Sequence, residues 1–140
     1  MKQISVFLEN RPGTLKQMTA ALAEHEIDIR ALSLAETSDF GIARLIVDDA
    51  YSAVNTLKED DFIASLTSVL IVEIPDVPGG LDKLLAVFED AKVNIEYMYA
   101  FLGSKAKAYM VFKVDDYKAA KARLQARNLT LITQDDIADI

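Results

Sequence analysis

The segment from Ser5 to Ile29, SVFLENRPGTLKQMTAALAEHEIDI, recurs from Leu70 to Ile95 as LIVEIPDVPGGLDKLLAVFEDAKVNI. Pro12-Gly13 falls on Pro78-Gly79, an offset of 66, and at that offset Leu15 meets Leu81, Met18 meets Leu84, Leu22 meets Phe88 and Ile29 meets Ile95. Val47-Asp48-Asp49 meets Val114-Asp115-Asp116 at an offset of 67, so the second copy has gained one residue in between. A repeat of this period means one supersecondary unit built twice, and any fold assigned to the chain must divide into two like halves. The halves are expected as residues 1–67 and 68–140, with no linker between them.

Each copy carries the same alternation of periods. A strand is expected first (Ile4 to Leu8; Leu70 to Ile74), from β-branched and apolar residues in partial alternation. A Pro-Gly turn then opens a helix whose apolar positions, Leu81, Leu84, Leu85 and Phe88, follow helical spacing. Proline suits that place because its φ is preset and a helix start needs no amide donor from it. Two strands follow (Arg30 to Glu36 and Ile42 to Val47; Glu96 to Leu102 and Ala108 to Val114). The paired aspartates introduce a second helix, Ala50 to Lys58 and Tyr117 to Arg127. A last strand closes each unit, Ile63 to Thr67 and Leu129 to Thr133. With right-handed crossovers, β-α-β-β-α-β is an α+β, ferredoxin-like unit: a four-stranded antiparallel sheet with both helices on one face.

Composition narrows the function. A formal charge of −7, with 15 basic residues scattered among 22 acids, lacks the concentrated basic surface that phosphate binding needs, so no nucleic-acid partner is expected. The absence of cysteine excludes disulfides, thiolate nucleophiles and Cys-ligated zinc, and a reduced, cytoplasmic setting is the plain expectation. No apolar run approaches the roughly 20 residues of a membrane span, and the N-terminal run is too short for a secretion signal. His25 is the single histidine, with Ala91 in its place in the second copy, so it reads as a residue at a helix end. Asp48-Asp49 and Asp115-Asp116 resemble paired catalytic or metal-binding carboxylates, but both sit at a strand-to-helix junction, where aspartate caps free amides. No catalytic residue, metal site or cofactor is expected.

The Pro-Gly turns remain. In Asn10-Arg11-Pro12-Gly13-Thr14-Leu15 the chain passes from strand to helix, where backbone amides point outward and can receive a carboxylate. Glycine there removes the side chain that would block a close approach. The second copy reads Asp76-Val77-Pro78-Gly79-Gly80-Leu81. Together with Asp28-Ile29 and Asn94-Ile95 at the second strands, this pattern resembles the ACT domain, twice over and across essentially the whole chain. That resemblance implies a small-molecule sensor, mostly for free amino acids, here free-standing because there is no room for an attached enzyme. It further implies that two units join through their second strands into one eight-stranded sheet, with helices on one face and ligands at the seam. Each Pro-Gly loop then meets the second-strand start of the other unit. One pocket would combine Asn10, Arg11, Pro12, Gly13, Thr14 and Leu15 with Asn94, Ile95, Glu96 and Tyr97. The other would combine Asp76, Val77, Pro78, Gly79, Gly80 and Leu81 with Asp28, Ile29, Arg30 and Ala31.

The copies differ where a ligand would feel it. The first pocket has an asparagine on each side, offering donors to a carboxylate and an acceptor to an ammonium. The second has Asp28 and Asp76, which repel a carboxylate unless Arg30 compensates, so the first is expected to be the better site. The hairpins also differ, Glu36 to Gly41 against Gly103 to Lys107, and Phe40 is an apolar ring in a turn, placed to cover something beside Asp39. Alternation puts Leu32, Leu34, Met98 and Leu102 on the helix side with Val6, Leu45 and Phe112. It leaves Phe7, Ile42, Ile46, Ile71, Tyr97, Tyr99, Phe101, Tyr109 and Val111 on the other. That bare apolar face predicts a homodimer, unless the tail from Gln134 to Ile140 covers it. The reading is a non-catalytic amino-acid sensor acting on a regulated protein. Its rival is a structural or regulatory subunit that binds protein alone.

Overall fold

A computed structural model describes residues 1–36 and 39–140; Thr37 and Ser38, in the first expected hairpin, lie outside the described residues. The chain divides into two compact units, Lys2–Thr67 and Ser68–Ile140, with Met1 belonging to the second. Met1 is drawn there by its carbonyl, which accepts from Val69 N at 3.1 Å.

The first unit runs β1 (Lys2–Glu9), α1 (Thr14–Glu24), β2 (Ile29–Glu36), β3 (Phe40–Val47), α2 (Ala50–Glu59) and β4 (Ile63–Ser68). Its strands lie in the order β2-β3-β1-β4, with β1 and β2 both antiparallel to β3. Ile4, Val6 and Leu8 of β1 and Ala43, Leu45 and Val47 of β3 share one face. Met18 and Leu22 of α1 and Val54 and Leu57 of α2 pack on that face and close the core.

The second unit repeats this as β5 (Leu70–Pro75), α3 (Gly80–Asp90), β6 (Ile95–Leu102), β7 (Lys107–Val114) and α4 (Tyr117–Gln125), with strand order β5-β7-β6. Its core is built around Phe88 and Phe112, whose rings lie 4.4 Å apart at 42°. Both units are thus ferredoxin-like, and among the described residues the sheets have four and three strands, against the expected single sheet of eight. The expected strand from Leu129 to Thr133 is reduced to a single bridge, Val72 to Leu131, and one bond from Ile132 N to Ile71 O at 2.8 Å. The cause is local. Thr133 turns its own N–H and its hydroxyl onto Asp136 Oδ2, both at 2.8 Å, and Asp136 N returns a bond to Thr133 O at 3.1 Å. These bonds hold the Asp136 carboxyl below its ordinary range and bend the chain away from β5 into a short 3-10 turn, Asp136–Asp139. Ile137 of that turn is fully buried.

One expectation about sheet faces is met and one needs correction. Leu32 and Leu34 do lie on the helix side, opposite Leu45 and Ala43, yet they are 43% and 52% exposed because β2 ends the strand order, beyond the helices. Leu102 of β6 is exposed likewise. The opposite face is not bare throughout, for Ile46, Ile71, Tyr109 and Val111 are buried whereas Phe7 stays exposed.

All four α-helices stop in the same way. The amides two and three residues past the last helical turn fold back onto it, as in Glu26 N to Ala23 O (3.1 Å) and Ile27 N to Leu22 O (3.0 Å). Lys92 and Val93, Asp61 and Phe62, and Asn128 and Leu129 do the same. This Schellman arrangement demands a left-handed residue, normally glycine. Here it falls on Glu26, Asp61, Lys92 and Asn128, with φ of 55°, 64°, 55° and 63°. The apolar residue that follows each packs on the core beneath. Helix ends, not only apolar periodicity, therefore repeat between the copies. Relieving the strain at such a position outweighs the lost chain stiffness of a glycine. Lys92→Gly is expected to raise the unfolding free energy by about 0.5–1 kcal/mol in a urea titration, and Lys92→Val to lower it.

Candidate functional site

β1 ends at Glu9 and α1 begins at Thr14, so only four residues reverse the chain. Gly13 makes this work with φ 89° and ψ −12°, a left-handed conformation, and no side chain caps the turn that follows. A Cβ placed on Gly13 would meet nothing within 4 Å, so the backbone there is approachable. The first turn of α1 holds no acidic residue. The hydroxyl of Thr14 faces back into the loop, within bonding distance of Glu9 O (2.9 Å) and Arg11 O (3.1 Å). Arg11 is committed to Glu9 by an exposed ion pair of 2.7 Å. Asn10 is tied to the hairpin: its N–H donates to Asp39 O at 3.3 Å and its side-chain amide reaches Glu36 Oε1 at 3.5 Å. Asn10 to Leu15 together line a depression of about 270 Å³, completed by Leu8, Glu9, Leu34 and Gly41.

The second loop repeats the geometry with other chemistry. Gly79 has φ 84° and ψ −4°, again with open space at its missing Cβ. Gly80 stands where the first copy has Thr14, because a Cβ there would come within 2.7 Å of Pro75 O. Asp82 occupies the first turn of α3 and already complements the positive end of that helix. Asp76 N donates to Ala106 O at 2.8 Å.

Each second strand starts on a clamp. Asp48 Oδ1 accepts from the amides of Asp28 (3.1 Å) and Asp49 (2.9 Å), while Asp48 N donates to Asp28 O at 3.2 Å. In the second copy Asp115 N donates to Asn94 O at 3.2 Å, and Asn94 Nδ2 donates to Asp115 Oδ2 at 3.0 Å. One amide hydrogen of Asn94 is thereby used. Immediately beyond, the register slips between Ile29 and Ala31 and again between Ile95 and Tyr97. Arg30 and Glu96 are thus bulge residues at equivalent places, and bulges concentrate where a side chain must be re-aimed. Arg30 pairs with Asp28 at 3.0 Å and Glu96 with Lys113 at 2.9 Å. Nothing in the residue types announces these bulges.

The remaining candidates are structural. Asp49 Oδ1 caps α2 by accepting from Ser52 N (3.0 Å), and Asp116 Oδ1 caps α4 by accepting from Ala119 N (3.3 Å). The ring of His25 bonds through Nδ1 to Ala21 O at 3.0 Å, closing α1. Among the described residues no cluster of acids and histidine can hold a metal, and no helix is long and apolar enough to cross a membrane.

A duplicated ferredoxin-like unit with a left-handed Pro-Gly turn before each first helix defines the class, and the chain belongs to the ACT domain pair family, which it matches over residues 1–140. It is similar to protein BT0572 from Bacteroides thetaiotaomicron, with 36% identity, 99% of this chain and 96% of that one covered, and a TM-score of 0.91. It shares its fold with the regulatory subunit of aspartate kinase from Thermus thermophilus in a ligand-free form (21% identity, 91% and 90% covered, TM-score 0.67). The corresponding subunit from Thermus flavus is similar at 19% identity, 89% and 90% covered, with a TM-score of 0.60. Among curated proteins none matches.

The two glycines that follow proline and the one that follows Gly79 answer to different constraints, and substitution separates them. Gly13→Ala is expected to cost about 1–2 kcal/mol from the left-handed backbone alone. Gly80→Ala is expected to cost about 1–3 kcal/mol through collision with the Pro75 carbonyl. Urea unfolding measures both, and a D-alanine introduced by synthesis at position 13 should restore stability there.

Proposed function

We propose that this chain is a non-catalytic sensor that binds a free amino acid and reports its level to a regulated protein in the cytoplasm. The observation that carries the proposal is the loop Asn10 to Leu15: an approachable left-handed glycine, a helix start with no side-chain cap and no acid in its first turn. Such a start complements a carboxylate. Following the family resemblance, the ligand's other side is the second-strand start of the other unit, so that Asn94, Ile95, Glu96 and Tyr97 complete the first pocket. Asn94 supplies an acceptor for the ammonium group. The reciprocal pocket, Asp76 to Leu81 with Asp28 to Ala31, is the weaker one. Asp82 already neutralises its helix start, and the Arg30 guanidinium is engaged by Asp28. The position of β2 and β6 at the ends of their strand orders is compatible with that pairing.

Self-association belongs to the same proposal. On the open face of the first sheet, Phe7 stands opposite Ile42, and Phe40 comes next on β3; Phe7 and Phe40 are 46% and 52% exposed. A second copy packing on this patch would remove it from water. Phe7→Glu is expected to give a folded monomer where the parent chain scatters light as a dimer; a monomeric parent, or a variant that still dimerises, places association elsewhere or nowhere.

Ligand binding is tested by thermal unfolding in the presence of each of the twenty amino acids. One or a few are expected to stabilise by RT ln(1 + [L]/Kd), about 2.7 kcal/mol at a hundredfold excess over Kd. A flat response to all of them overturns the sensor reading in favour of a protein-binding subunit. Calorimetry then apportions the pocket. Asn10→Ala and Asn94→Ala should each weaken binding by about 0.5–3 kcal/mol and combine non-additively, since both act on one molecule. Asp28→Ala and Asp76→Ala should leave that event intact. Loss with Asn10 but not Asn94 removes the second strand from the site.

A further inference from the structure

The second unit contains a cavity of about 620 Å³ that lies outside the Pro-Gly loops. Its base is a polar network on the sheet face away from the helices. Glu73 Oε1 accepts from the Tyr109 hydroxyl at 2.9 Å and from Lys107 Nζ at 3.2 Å. These two donors hold the Glu73 carboxyl below its ordinary range, and burial with the adjacent carboxylate raises the Tyr109 phenol. The Tyr109 ring is 5% exposed and stacks on Phe101 at 5.1 Å and 17°. Gly103 lies so close that any Cβ there would strike the Tyr109 ring. Tyr109 is thus fixed from the side and below, and it fixes Glu73 in turn.

The first copy lacks all of this. Where β5 and β7 set Glu73 opposite Tyr109, β1 and β3 set Phe7 opposite Ile42, and Phe40 takes the place of Lys107. The polar base is therefore an acquisition of one repeat and does nothing the shared fold requires. The walls differ too. One is the hairpin after β6, bearing Ser104, Lys105 and Lys107; the other is the segment that replaced the fourth strand, bearing Thr130, Asp136 and Asp139. Lys107 is paired with Glu73, and Asp136 is engaged by Thr133. Among the described side chains that line the space, Lys105 on one wall and Asp139 on the other carry opposed charges outside those two pairings. A plain cation or a plain anion meets a like charge on one side of such a space, whereas a molecule carrying both charges meets its complement on each. The volume is within the range of small-molecule sites.

We propose that this cavity binds a small zwitterion of amino-acid to dipeptide size, at a site separate from both Pro-Gly loops. Lys105 receives its carboxylate and Asp139 its ammonium, and Ser104 and Thr130 line the same space. The segment from Leu129 to Ile140 forms one wall, so occupancy also holds that segment against the sheet.

The test is titration of the intact chain with each of the twenty free amino acids and with glycylglycine, followed by backbone amide resonances. At least one probe is expected to move Ser104, Lys105, Thr130 and Asp139 with saturation at millimolar concentration. Its carboxamide and its N-acetyl form, each keeping one charge, should bind at least about tenfold more weakly. Lys105→Glu and Asp139→Lys, both at exposed positions, should each weaken that event about tenfold while leaving the resonances of Gly13 and Gly79 as in the parent chain. The proposal is overturned if no probe moves these residues, or if the half-charged analogues bind as well as the parent zwitterion. Shifts confined to Asn10 to Leu15 also overturn it while upholding the loop as the ligand site, and shifts at the cavity alone uphold it while removing the loop from the ligand site.

Discussion

The constraint on which each unit depends is the left-handed glycine between its first strand and first helix. A strand that must hand over to a helix lying back across the same sheet has only Asn10 to Gly13 in which to reverse. The reversal needs a residue at φ near +90°, which Gly13 and Gly79 supply at 89° and 84°. Two consequences follow from that one torsion angle. Met18 and Leu22, and Leu84 and Phe88, are delivered onto the sheet face where the core forms. Glycine fills this angle and has no side chain with which to accept from the first helical amides, so the starts of α1 and α3 are left without a side-chain cap. The second helix of each unit makes the contrast plain, for there Asp49 and Asp116 do cap. Topology and an open helix start are thus obtained together, so the approachable backbone at the loop is a by-product of how the chain turns.

Much of this was legible in the residues. Periodicity and the doubled Pro-Gly motif gave the element order, all four helices and the capping aspartates, because each rests on short-range chemistry that a sequence displays directly. What was illegible depends on distant partners. The slips at Arg30 and Glu96 arise where β2 and β6 are anchored by Asp48 and Asp115, some twenty positions away, and no local signal marks them. The lost strand is similar. Leu129 to Thr133 has adequate strand composition, but the competing bond from Thr133 to Asp136 takes the amide and hydroxyl that would have served an extension. The exposure of Leu32 and Leu34 is illegible for a third reason: alternation assigns a side chain to a face but does not say how far the helices reach across it.

Glu26, Asp61, Lys92 and Asn128 show how closely the copies have kept their backbone while their side chains drifted. None of the four is glycine, and each pays strain for its left-handed angle, yet all persist at matching places. What preserves them is the next residue. Ile27, Phe62, Val93 and Leu129 must point into the core, and the Schellman turn is what points them. Each of these side chains is partly withdrawn from water on the core, which offsets the strain of about 1–2 kcal/mol at the residue before it, so the turn is retained even without glycine.

The same logic explains why the copies diverged on the other sheet face. The helix-side face is locked by packing, and a change there is felt at once as a cavity or a clash. The opposite face carries neither α-helix of its unit, and although Ile46, Ile71 and Val111 are buried on it, its end at Phe7 and Phe40 is exposed and freer to change. In the first unit it kept an apolar end at Phe7 and Phe40. In the second, the same positions became Glu73 and Lys107, a network that is useful only if water or a polar molecule stays nearby. Burying that ion pair under an apolar surface would cost more than the pair returns. The two faces are therefore unlike in what they expose: apolar rings at Phe7 and Phe40 in the first, and a hydrogen-bonded ion pair at Glu73 and Lys107 in the second. A duplicated unit divides labour most readily on the surface its own core does not use.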